Sequence, residues 1–168
     1  MLDRELIDEL WKNDPEMKQL AQQYDERPVN RILSRKINEF DNSIPHNVAQ
    51  RQFDMIRQIA DSGESAIFVG RCADYALAGR PGLLRIFCRA DLGLRIRRIE
   101  QRHNLSKKKA ALLVAKTDRH RRVYYHHHTG QFWGHSSCYD LTVNTGVLGV
   151  EKTAETMEAF IRTFWEQD

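Results

Sequence analysis

Three short, almost uninterrupted apolar runs stand between stretches of helical periodicity, and that alternation leaves the chain few architectures. The runs are Ser65-Ala66-Ile67-Phe68-Val69-Gly70, Leu83-Leu84-Arg85-Ile86-Phe87-Cys88 and Leu141-Thr142-Val143-Asn144. Consecutive apolar positions suit strands covered on both faces, as in a parallel sheet, better than strands with one wet face. Helical patterns separate the runs at 72–78, 91–103 and 106–127, and another follows at 150–166. Strands alternating with helices predict βαβ units, hence an α/β fold with a parallel sheet. Ligands of such sheets bind beyond the C-terminal ends of the strands. Ahead of the first run the periodicity predicts three amphipathic helices. These are 2–12 (Leu2, Leu6, Ile7, Leu10), 28–40 (Val29, Ile32, Leu33, Ile37, Phe40) and, after a turn at Asp41–Pro45, 46–62 (Val48, Phe53, Ile56, Ile59).

The charge is distributed unevenly. The 168 residues carry a net +3, yet Arg71 to Arg122 holds 15 Lys and Arg against 4 Asp and Glu, a net of +11 in 52 residues. Such a segment calls for an anionic partner: nucleotide phosphate, nucleic acid or an acidic protein surface. The plain alternative is a solvated basic face balanced by acidic helices. No run of eighteen apolar residues occurs, which excludes a spanning helix and leaves no membrane role. The three cysteines, Cys72, Cys88 and Cys138, have neither the even number of a disulfide framework nor C-x-x-C spacing. With no linker or repeat, the expectation is one domain over 1–168 in a reduced, cytoplasmic protein.

Charged residues fall where a parallel sheet would use them. Arg71 follows the first run directly, at the binding edge, and Asp74 three residues later could meet a sugar hydroxyl or hold an arginine. A routine strand-to-helix turn capped by Asp74 is the simpler reading. Asp91 is a plausible N-cap for 92–103. In that helix Leu92, Ile96 and Ile99 share one stripe, with Arg95, Arg98 and Arg102 about a quarter-turn away. Guanidinium forks match phosphate oxygens, so an aligned row suits a polyphosphate. Asp118, Arg122 and Tyr125 lie at i, i+4, i+7 in the next helix, flanked by Arg119 and Arg121. Arginines held by an acid can clamp phosphate, and a local Asp118–Arg122 pair is the ordinary alternative. His126-His127-His128 point about 100° apart and cannot converge on one metal ion. They read as a helix end with Gly130 as its left-handed terminator. Phe132-Trp133-Gly134 opens a loop that either covers a site or packs.

The order of these pieces resembles the cytidylate kinase-like family of nucleoside monophosphate kinases. The resembling segments are Ile67 to Tyr75, Leu84 to Phe87 with the arginine helix, and Asp118-Arg119-His120-Arg121-Arg122-Val123-Tyr124-Tyr125. Thr129-Gly130, Trp133-Gly134, Tyr139 to Asn144 and the early Leu2 to Ile7 complete the set. The resemblance implies a three-layer parallel-sheet kinase core that transfers a phosphoryl group from ATP, with Mg²⁺, to CMP or dCMP. It implies that Arg71 and Asp74, with Asp118 and Tyr125, serve the acceptor nucleotide. It implies that Arg95, Arg98, Arg119 and Arg122 form the catalytic set, contacting phosphates from a mobile lid. Asn144, Gly146 and Leu148 would lie near the donor base, and no residue is assigned to a metal.

The family's opening strand and glycine-rich phosphate loop, G-x-x-x-x-G-K-[ST], have no counterpart in these residues. In related kinases that strand lies between the two placed here at 65–70 and 83–88. Three expectations follow: an N-terminally incomplete domain, a degenerate nucleotide-binding relative, or a partner chain that completes the sheet. The polypeptide alone is expected to be inactive. A non-catalytic nucleotide- or RNA-binding protein, using the basic 71–122 segment, is the alternative function.

Overall fold

The computed structural model describes the backbone of residues 39–166 and the side chains of 49–166. Helices expected at 2–12 and over most of 28–40 lie outside the described residues. The described elements are α1 (Glu39–Asp61), α2 (Ala73–Ala76), β1 (Ile86–Arg89), α3 (Leu92–His103), α4 (Lys107–Thr129), a 3₁₀ turn (Ser136–Cys138), β2 (Leu141–Asn144) and α5 (Thr145–Trp165). They fall into two compact units. Among the described residues, the first joins 39–80 to His120–Gln131, and the second joins Pro81–Arg119 to 132–166.

In the first unit, α1 buries Ala49, Phe53 and Ile56, and the α2 region adds Cys72, Ala73, Ala76 and Leu77. Removing these side chains from water stabilises the unit by roughly 25 cal/mol per Å² of apolar surface. Polar groups fasten the contact: Arg57 Nε donates to the Ala76 carbonyl at 3.2 Å, and Arg80 pairs with Asp61. Gln52 is buried in the same core, where its Oε1 accepts from the Tyr124 hydroxyl at 3.4 Å. The expected turn at Asp41–Pro45 is absent, because α1 already starts at Glu39 and runs through Pro45. The proline removes one amide donor but the helix carries on past it.

The second unit holds a parallel pair, β1 beside β2, with Ile86 opposite Leu141 and Arg89 opposite Asn144. The fold is thus of the α/β class read from the alternation. The ladder starts at Ile86, three residues later than expected, for a local reason. Asp140 Oδ2 accepts from the Arg85 amide at 2.8 Å, and the Arg85 carbonyl accepts from the amides of Asp140 and Leu141. Those bonds close the strand entrance, so ladder pairing begins one residue on. Phe87 then packs edge-on to Trp133 at 5.3 Å and against Tyr139 at 4.9 Å. The Phe132-Trp133-Gly134 loop therefore packs through its tryptophan, while Phe132 stays exposed.

The first apolar run does not form the expected strand. Among the described residues only Phe68 makes a single bridge, and Ile67 is 75% exposed. A strand needs neighbours for its amides and side chains, and composition alone does not supply them.

Candidate nucleotide site

In the first unit the chain leaves the exposed run through three successive left-handed residues: Gly70 (φ 74°), Arg71 (φ 57°) and Cys72 (φ 52°). Only the glycine adopts that conformation freely; each of the others costs on the order of 1 kcal/mol. The turn delivers Arg71 into the interior, where it is 6% exposed, and starts α2 with Asp74 in its first turn. The capping role considered for Asp74 is not the one it plays. The carboxylate instead accepts from the Tyr125 hydroxyl at 2.6 Å, fifty-one residues away. Tyr125 is itself 4% exposed. Three of the expected acceptor-binding residues, Arg71, Asp74 and Tyr125, thus share one neighbourhood. Arg122, one turn earlier in α4, is exposed and in the same unit.

The second unit carries the other phosphate-binding candidates. Asp118 does not pair with Arg122, its neighbour four residues on, but accepts from Arg95 Nη2 of α3 at 2.5 Å. An acid holding an arginine was the expected arrangement, with a different arginine. Arg98 and Arg119 are exposed, and among the described residues they have no ion pair or hydrogen bond. Leu92, read as the start of the apolar stripe of α3, is 57% exposed. Ile96 and Ile99 of that stripe are half-buried, while Leu94, nearly opposite Leu92 on the wheel, is 36% exposed and lies with its Cδ1 2.7 Å from where a Cβ at Gly146 would stand.

The C-terminal ends of the two strands are tied together. Asn144 caps α5 by accepting from the Gly146 amide at 3.0 Å, and its Nδ2 donates to Asp91 at 3.4 Å. Thr145 Oγ1 donates to the Arg89 carbonyl at 3.2 Å. Asp91 occupies the N-cap position of α3, yet no side-chain cap bond forms, because its carboxylate faces Asn144 instead. Of the expected donor-base residues, Asn144 serves the cap, Gly146 permits close approach of Leu94, and Leu148 is 50% exposed. α5 breaks at Gly149 (φ 80°, ψ 172°), one residue ahead of the helix expected at 150–166.

Arg85 and Asp140, a pair that no sequence spacing indicates, form a two-pronged ion pair in the second unit. Asp140 accepts from Arg85 Nε at 3.0 Å and Nη2 at 2.7 Å, besides the backbone bond. The Arg85 side-chain hydrogen bonds hold the Asp140 carboxyl below its ordinary range. Gln131 is likewise unmarked in the sequence; it meets the Tyr125 hydroxyl at 3.1 Å. The histidine run ends α4 as expected: the Gly130 amide donates to the His126 carbonyl at 2.9 Å, with Gly130 at φ 70°. Among the described residues no three His, Cys, Asp or Glu side chains are arranged to hold a metal ion, and no helix is long and apolar enough to cross a membrane.

Comparison with known proteins adds three findings. A family model described as cytidylate kinase-like matches residues 1–147. A crystal structure of an uncharacterized protein from Eubacterium ventriosum ATCC 27560 is similar, at 26% identity and a TM-score of 0.68. That similarity covers 95% of this chain and 91% of the other. Nothing among curated proteins matches.

Proposed function

We propose that this chain, which belongs to the cytidylate kinase-like family, binds a pyrimidine nucleoside monophosphate, CMP or dCMP, through Arg71, Asp74 and Tyr125. The reaction it serves is ATP + (d)CMP → ADP + (d)CDP. An oxygen of the acceptor phosphate attacks the γ-phosphorus of ATP, and the bond to the bridging oxygen breaks to release ADP. Such transfer depends on positioning and charge neutralisation, which suits a chain whose candidate site residues are dominated by arginines. Arg95, Arg98, Arg119 and Arg122 hold the phosphates as parts of a lid, and Asp118 keeps Arg95 in place. Asn144, Gly146 and Leu148 serve the donor base. Mg²⁺ enters as the ATP complex.

One observation carries this reading: the hydrogen bond of 2.6 Å between Asp74 and buried Tyr125, beside an arginine carried inward by a left-handed turn. A buried cation and an oriented carboxylate on one short segment suit a ligand with a phosphate at one end and hydrogen-bond donors at the other. The reading extends to two further points. The 168 residues contain no G-x-x-x-x-G-K-[ST] sequence, so this polypeptide alone turns over no ATP. A strand from a partner chain completes the sheet; among the described residues β1 pairs with β2 alone.

The test is competition for a bound fluorescent nucleotide. CMP displaces it at low concentration if the reading is right. Displacement by single-stranded RNA with a steep salt dependence, and not by CMP, favours the nucleic-acid alternative. Robust CMP-dependent ATP turnover by residues 1–168 would refute the inactivity.

A further inference from the structure

We infer that Asp74 reads a hydrogen-bond donor on the nucleoside part of the ligand, and that Tyr125 and Gln131 are positioning residues that aim its carboxylate. The inference rests on the proposed acceptor site and names what that site selects. The Tyr125 hydroxyl has two oxygens within reach: Asp74 Oδ2 at 2.6 Å and Gln131 Oε1 at 3.1 Å. A phenol has one proton to give, and the short contact with a carboxylate takes it. Gln131 therefore serves the hydroxyl with its amide turned over, Nε2–H donating to the phenolic oxygen. The result is a directed chain, amide to phenol to carboxylate, in which each bond strengthens the next.

The far end of this chain is held by the terminus of α4. The Gln131 amide donates to Thr129 Oγ1 at 3.0 Å, and that hydroxyl donates to the Tyr125 carbonyl at 2.7 Å. His126 Nδ1 lies 3.1 Å from the Gln131 carbonyl. The residue presenting the amide is thus tied by its backbone on both sides, to the same turn of helix that carries Tyr125. At the near end, Asp74 sits on α2 behind the left-handed turn, half-buried, and its Oδ1 accepts no hydrogen bond among the described residues. An oriented carboxylate oxygen accepts and cannot donate. It selects O–H or N–H groups and disfavours a carbonyl. A nucleoside monophosphate offers such donors as its 2′-hydroxyl, its 3′-hydroxyl and, in cytosine, the exocyclic amine.

Equilibrium titration of the intact chain with CMP, dCMP, 3′-deoxy-CMP and UMP tests this. Asp74→Asn and Tyr125→Phe should each weaken CMP binding about tenfold, the worth of one charge-assisted hydrogen bond. Tyr125→Phe keeps the buried ring, so thermal melting of that variant separates a lost hydrogen bond from a lost fold. On the Asp74→Asn background, Tyr125→Phe should cost little more, because a positioning residue acts through the group it positions. The analogue that loses about tenfold on the unaltered chain, and no more on Asp74→Asn, identifies the donor. If CMP binds but neither variant weakens it, or their effects multiply, or the unaltered chain binds all four nucleotides alike, the inference fails and the acceptor site stands. If no nucleotide binds the unaltered chain, the acceptor site fails and the inference with it.

Discussion

Replacing Asp140 by alanine removes the acceptor of three hydrogen bonds at the entrance to the parallel pair: from the Arg85 amide at 2.8 Å, Nε at 3.0 Å and Nη2 at 2.7 Å. A hydrogen bond to a charged group contributes roughly 1.5–3 kcal/mol when well shielded, so three buried ones would exceed about 5. Both side chains are 33% exposed, and water screens and partly replaces what is lost. We therefore expect a cost of roughly 2 kcal/mol, or a fall of roughly 4–8 °C in Tm for a chain of this size. Urea unfolding followed by tryptophan fluorescence suits the measurement, because Trp133 packs on Phe87 of β1 and reports on this unit. The cost should depend on pH. Arg85 holds the Asp140 carboxyl below its ordinary range, so the native state favours the ionised form more than the unfolded chain does. The clasp contributes fully above the unfolded carboxylate range, near about 3.9, and is lost as pH falls through the lowered native value. A variant within about 0.5 kcal/mol of the parent at neutral pH would refute the reasoning. So would a difference that persists undiminished in strong acid.

Three shorter expectations accompany it. Gly134→Ala should destabilise by roughly 2 kcal/mol, since a Cβ there would sit 2.9 Å from Phe87 Cζ at φ 79° in a ring cluster that cannot yield; thermal melts decide it. Asn144→Ala removes the α5 cap and the link to Asp91 and should cost about 1 kcal/mol, read by urea unfolding. Arg71→Ala should weaken CMP binding by more than about tenfold while Arg97→Ala, on the exposed side of α3, leaves it unchanged; calorimetric titration compares the two.

Local and periodic signals were legible where one segment decides its own fate. Leu141–Asn144 forms the strand its β-branched composition suggests, and α3, α4 and Gly130 fall within a few residues of the pattern. Features that depend on a distant partner were not legible. The run at 65–70 has strand composition, but pairing is a tertiary property and only Phe68 bridges. Arg85 and Asp140 are fifty-five residues apart, and no spacing rule joins them. The same holds for Asp118, whose partner is Arg95 of the preceding helix and not the helical neighbour Arg122. Leu92 is exposed although Ile96 and Ile99 of its stripe are half-buried, since a wheel fixes which residues share a face but not how far along the helix that face is covered. In the candidate site, Arg71, Asp74 and Tyr125 were identifiable as chemical types in a suggestive order, while their convergence needed the fold. Gln131 carried no signal, since a polar residue after a helix-ending glycine is unremarkable until a buried hydroxyl is found beside it.

The claim on which the rest depends is that a nucleoside monophosphate binds at the turn before α2 and the end of α4. Amide chemical-shift mapping during a CMP titration tests it directly. Saturable changes concentrated at Gly70–Tyr75 and Tyr125–Gln131 are the expected result. Changes confined to the exposed Lys107–Lys109 face, or no response to CMP at all, would contradict it.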